Sequence, residues 1–173
     1  MKLEPQGFTL IELLVVISII GLLASVALGS LSDARNTALY TAVKSDIRLI
    51  HSAFYATDQP SSPIKNITGS GCSVCVCWDL GAINLRSLDE NSPCRDRWRE
   101  TIDRITLASD LLQDSSDLYR DPWGSPYLLD ENEMEFSTDP CRRDSLSSVG
   151  EDGLRGTADD YIFLLPFRTS LCR

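Results

Sequence analysis

A nearly unbroken apolar run from Phe8 to Leu31 constrains this chain more than any other feature, because Glu12 is its one ionisable residue. Wound as a helix at about 1.5 Å per residue, its roughly 24 positions would reach about 36 Å, enough to cross a hydrocarbon core of about 30 Å. A removable secretory signal has a shorter apolar core with a small-residue cleavage site after it. Here the processing point, between Gly7 and Phe8, precedes the run, so cleavage leaves the apolar helix on the mature chain. An acid near the start of a spanning helix costs on the order of a few kcal/mol unless it lies at the interface, is neutralised or is paired. Glu12 therefore either complements the positive helix terminus at headgroup level or meets a partner's positive charge in an assembly.

The rest reads as one soluble domain, since 173 residues less an anchor leave room for a single core. With 25 acidic against 16 basic side chains, a broad nucleic-acid surface is not expected. The six cysteines, Cys72, Cys75, Cys77, Cys94, Cys141 and Cys172, all lie beyond the apolar run, which fits export and disulfide formation. Zinc tolerates the spacing of the first three, but the single histidine, His51, lies well upstream and no second close cysteine pair exists, so disulfides outweigh zinc. Their connectivity is open at this level.

Leu39, Val43, Ile47, Ile50 and Phe54 recur at steps of three and four, which continues the first helix as an amphipathic one to about Thr57. His51 on this stretch reads as a solvated or domain-contacting residue, with no catalytic constellation around it. Two prolines, Pro60 and Pro63, then mark a turn, and an irregular cysteine-rich region follows. Trp98, Ile102, Ile105 and Leu112 predict a second amphipathic helix. Tyr127 to Leu129 and Met134 to Phe136 predict a hairpin around Asp130 to Glu133, and Tyr161 to Leu165 a third strand. The expected fold is α+β: a long helix on a small antiparallel sheet with a shorter helix nearby. Segment by segment, the expectation is a leader at 1–7, a membrane or fibre-core half-helix at 8–31, a domain-packed half-helix at 32–57 and a globular domain at 58–173. A cysteine-rich insert lies at 72–94 and an acidic glycine loop at 149–161. No nucleophile elbow, phosphate loop or zinc-protease helix is present, so no enzyme is expected.

The stretch Gly7-Phe8-Thr9-Leu10-Ile11-Glu12-Leu13-Leu14-Val15-Val16-Ile17 resembles the prepilin cleavage and methylation motif of type IV pilin-like proteins. The resemblance implies that a membrane peptidase cuts after Gly7 and that Phe8 becomes the N-methylated first residue. It also implies that Glu12 neutralises the amino group of a neighbouring subunit's Phe8 in a helical fibre. Gly29 stands where many pilins place a helix-melting proline. Partners implied are further copies of the chain, minor pilins or pseudopilins, the prepilin peptidase, an inner-membrane assembly platform and membrane lipid before assembly. The implied location is a single pass through the cytoplasmic membrane with an extracytoplasmic domain, then a periplasmic or extracellular fibre.

In Val149 to Tyr161, glycines at 150, 153 and 156 alternate with carboxylates. Such a segment turns tightly enough to converge oxygens on a hard cation, yet it lacks the spacing of an EF-hand, and a solvated turn is the simpler reading. Asp121 to Tyr127 together with this loop is similar to the carboxyl-terminal half of type II secretion major pseudopilins. That resemblance implies a structural calcium ion held by Asp152 and Asp159, by the backbone carbonyls of Val149 and Tyr161, and with help from Asp160. The cysteine-rich stretch has no counterpart in that family. The expected role is a fibre subunit of a type II secretion pseudopilus, with a type IV pilus subunit as the alternative.

Overall fold

The computed structural model describes residues 9–59, 61–69, 72–109 and 111–173, without the side chains of residues 26–30. It divides into two compact units, Met1–Ala38 and Leu39–Arg173. In the first, helix α1 (Leu10–Tyr55) begins, and its side chains from Leu10 to Ser25 are all exposed. Among the described residues no helix is long and apolar enough to cross a membrane. The backbone stays helical through Gly29, because a glycine weakens a helix by only about 1 kcal/mol where proline costs about 3.

The second unit starts from the face the spacing defines: Val43, Ile47, Ile50, Ala53 and Phe54 of α1 are fully buried. Burying one such side chain stabilises the fold by about 1.5–3 kcal/mol. They pack with Trp98, Ile102 and Ile105 of helix α4 (Pro93–Ala108) in one core. Helix α4 starts where it does because the Ser92 hydroxyl accepts from the Arg95 N–H and Pro93 occupies the first turn, where its missing donor costs nothing. It ends at Ala108, so Leu112 joins the same core from the connection beyond the helix. The Trp98 indole donates to the Leu118 carbonyl at 2.8 Å, and the Tyr127 hydroxyl donates to Asp46 at 2.6 Å, tying the sheet side to α1. His51 lies edge-on to Tyr55 and Phe163, with ring centroids 4.9 and 5.4 Å away.

The sheet has three antiparallel strands, β1 (Leu128–Asp130), β2 (Ser145–Ser148) and β3 (Tyr161–Leu164), in the order β1-β2-β3. Leu129 pairs with Leu146 and Leu146 with Phe163, which sets those three on the face that meets the helices. The expected hairpin between Leu129 and Phe136 does not form: β1 pairs instead with β2, and Glu133 to Glu135 are turn. The alternation in Met134-Glu135-Phe136 is overridden because the flanking acids are drawn inward. Glu131 and Glu133 are buried as acceptors, and Met134 takes a left-handed φ of 62°. Strand β2 escapes sequence patterning because Leu146 is its single apolar residue.

The cysteine-rich region is more ordered than expected, with helical turns α2 (Lys65–Thr68) and α3 (Cys75–Trp78) and a 3-10 turn at Leu85–Ser87. All six cysteines are in disulfides, Cys72–Cys75, Cys77–Cys94 and Cys141–Cys172, which closes the question of connectivity and leaves no thiolate for zinc. Val74, Cys77, Leu85, Cys94, Leu128 and Val149 form a second small core between this segment, the sheet and the root of the acidic loop.

Candidate functional site

The amino-terminal site is only partly within the described residues, since Gly7 and Phe8 lie outside them. What is visible is a reciprocal cap at the start of α1. The Thr9 N–H and hydroxyl donate to Glu12 Oε2 at 2.9 and 2.7 Å, and the Glu12 N–H donates to the Thr9 hydroxyl at 3.3 Å. This is a capping box, and it satisfies two donors that a helix start otherwise leaves open. The helix-end reading of Glu12 is the one these contacts carry. The Thr-x-x-Glu spacing ahead of an apolar run is the signal that sequence reasoning passed over.

The second site is the acidic loop between β2 and β3. Ser148 and Tyr161 are directly paired, so the sheet brings the two ends of the loop together and sets Val149 and Tyr161 at its root. Gly150, Gly153 and Gly156 all have positive φ, between 67° and 82°. Gly150 is required for close approach as well, since a Cβ there would stand 2.4 Å from the Asp159 carbonyl oxygen. That approach lets the Asp152 N–H donate to Asp159 Oδ2 at 2.9 Å across the loop. Burial pushes the Asp159 carboxyl up, but the donations from the Asp152 N–H and the Thr157 hydroxyl outweigh it and hold the group below the ordinary value.

Thr157 is the hub that sequence reasoning missed. Its hydroxyl oxygen lies 2.7 Å from Asp159 Oδ1, 3.0 Å from the Leu154 carbonyl, and 3.3 Å from both Asp152 Oδ1 and Asp160 Oδ1. One hydroxyl proton serves one of these oxygens well, while the Leu154 and Gly156 N–H groups donate to Asp152 Oδ1 and Asp160 Oδ2, both at 2.7 Å. An all-oxygen set of this composition is the type a hard cation such as calcium takes. The Thr157 hydroxyl itself occupies the point on which Asp152, Asp159 and Asp160 converge. Among the described residues no group of three or more His, Cys, Asp or Glu side chains is arranged to hold a metal ion.

Two other segments touch the loop. Tyr40 of α1 donates its hydroxyl to the Asp159 carbonyl at 2.9 Å, and burial together with the charge of Asp159 pushes this phenol up. Asn84 donates to the Asp152 carbonyl at 2.6 Å. Nothing in the spacing of Tyr40 or Asn84 signals these contacts, which span 119 and 68 positions.

Comparison with known proteins bears on both ends of the chain. Residues 5–28 match the prokaryotic N-terminal methylation motif. The chain is 28% identical over 161 residues to the type II secretion system core protein G of Aeromonas hydrophila, covering 92% of each. No solved structure matches it.

Proposed function

We propose, from the premise that this chain is a pilin-like protein of the pseudopilin type, that it is the major fibre subunit of a type II secretion system, a structural polymer that drives protein export. The carrying observation is the methylation motif at residues 5–28 on a chain alignable, over 92% of its length, with a secretion core protein. The α+β fold, with a long helix and a three-stranded antiparallel sheet, supports the same reading.

In this reading the precursor is anchored in the cytoplasmic membrane by residues 8–31, with its disulfide-bearing domain on the oxidising side. A prepilin peptidase removes Met1 to Gly7 and Phe8 is methylated. The exposed apolar side chains, from Leu10 to Leu23, then exchange lipid for the core of a fibre made with further copies and minor pseudopilins. Glu12 leaves its local cap to meet the Phe8 amino group of a neighbour, where opposite charges in low dielectric offset each other's desolvation.

The test is complementation of a strain lacking this gene with the full-length chain. Exported proteins should return to the medium, and the recovered subunit should have lost the mass of Met1 to Gly7. An uncut subunit, or unchanged export with loss of surface pili, would overturn the reading.

Calcium belongs to the same proposal. Asp152 and Asp159, the carbonyls of Val149 and Tyr161, and Asp160 as a helper would hold the ion, which would supply positive charge to a loop crowded with carboxylate oxygens. At a hundredfold excess over its Kd a ligand adds about 2.7 kcal/mol to stability. Thermal unfolding of the full-length protein in detergent should shift upward by several degrees with calcium against chelator. Equal midpoints would sink the calcium assignment and leave the fibre role untouched.

A further inference from the structure

We infer that the cysteine-rich segment 72–94 is a brace that sets the backbone of the acidic loop, with Asn84 as the positioning residue. The Asn84 Nδ2 donates to the Asp152 carbonyl at 2.6 Å, and the Leu85 N–H donates to the Gly153 carbonyl at 2.8 Å. Gly153, at a φ of +71°, comes so close that a Cβ there would stand 2.5 Å from Asn84 Oδ1. The two segments are thus in backbone contact at the corner that carries Asp152.

Asn84 is itself fixed. Its Oδ1 accepts from the N–H groups of Arg86 and Ser87 at 3.0 and 3.3 Å, which folds Leu85–Ser87 into a 3-10 turn. Behind that turn the buried guanidinium of Arg95 donates to the carbonyls of Leu85, Arg86, Leu88 and Gly124. The Cys77–Cys94 disulfide closes the segment onto α4, and Leu85 shares the small core with Val149 at the root of the loop. The position needs an acceptor and a donor on one short side chain, which an amide has and a carboxylate or hydroxyl does not combine in this geometry. At the opposite corner Tyr40 holds the Asp159 carbonyl. Asp152 and Asp159 are therefore set by contacts from two remote segments.

A glycine-rich loop ordered in advance does not charge its ordering entropy to ligand binding. The brace accordingly tightens cation binding, a consequence that rests on the calcium reading, whereas the ordering of the loop does not.

Amide hydrogen exchange on the full-length protein in detergent and chelator tests the structural part. Asn84→Ala and Asn84→Asp should each raise exchange across Asp152 to Gly156 by about tenfold, the scale of one lost buried hydrogen bond. Asp at this position keeps the acceptor for Arg86 and Ser87 but loses the donor to Asp152, so a residue that merely capped the turn would be rescued by it. Gly153→Ala should open the same segment by steric means. Unchanged exchange in Asn84→Ala and Gly153→Ala, or full rescue by Asn84→Asp, would overturn the brace. Terbium titration tests the linked part, with Asn84→Ala binding about tenfold more weakly than wild type. Equal affinity would overturn the link to binding. A wild type that binds no terbium would overturn the calcium reading alone, since the exchange result stands by itself.

Discussion

Glu131→Ala should cost about 3–5 kcal/mol of folding free energy, the largest single loss expected outside the apolar core. Glu131 is fully buried, and its carboxylate accepts from the Thr68 hydroxyl at 2.6 Å, the Ser73 N–H at 2.7 Å and the Ser73 hydroxyl at 2.6 Å. The Thr101 hydroxyl of α4 lies 3.2 Å from that of Ser73, so one carboxylate joins α2, the cysteine-rich segment, α4 and the end of β1. Burial pushes this carboxyl up while the three donations pull it down. Removing the acceptor leaves the Ser73 N–H buried without a partner and opens a cavity, both costly. Glu131→Gln keeps a carbonyl for Ser73 and offers an amide to hydroxyls that also accept, so its loss should stay below about 1.5 kcal/mol. Chemical denaturation of the full-length protein reads both values. A loss under about 1 kcal/mol in the alanine variant would show that the network does not hold these elements together.

The second large effect is a pH dependence through Asp144. This carboxyl is buried, accepts from the Glu133 N–H at 2.6 Å, and is pushed up to about 6, first by burial and further by the charges of Glu133 and Glu131. Its folded pKa stands above the ordinary 3.8, so folding takes up a proton between those values. The stability linked to Asp144 is therefore fully present below about pH 4, and is lost as pH rises through about 6. Two units correspond to about 3 kcal/mol. His51, held low by burial, has the opposite sign over part of this window, so the clean observable is a difference. Asn at this position keeps the acceptor for Glu133 but carries no charge. The stability of Asp144→Asn relative to wild type should climb by about 2 kcal/mol between pH 4 and 6.5. A difference that stays flat across that window would refute the assignment.

Legibility from sequence followed the range of the interactions. The amino-terminal methylation motif at residues 5–28 could be read because it is a short continuous segment whose signal needs no remote contact. The inward faces of α1 and α4 were legible through Val43, Ile47, Ile50 and Phe54 and through Trp98, Ile102 and Ile105, since a 3.6-residue period is a local property. Strand β2 was not, because Ser145-Leu146-Ser147-Ser148 has almost no pattern of its own. It is a strand because β1 and β3 supply hydrogen bonds on both of its edges. Met134 to Phe136 misled for the converse reason: a local alternation lost to Glu131 and Glu133, the buried acceptors just ahead of it.

At the acidic loop, composition was enough to read an oxygen-rich turn: positive-φ glycines at 150, 153 and 156 between carboxylates allow little else. Thr157 as its hub, Tyr40 and Asn84 as its clamps, and the pairing of six cysteines emerged only in three dimensions. Local sequence determines how a segment can bend and which face it buries. Which remote donor meets a given carbonyl depends on bringing residues up to 119 positions apart to hydrogen-bonding distance, and only packing around a common core does that.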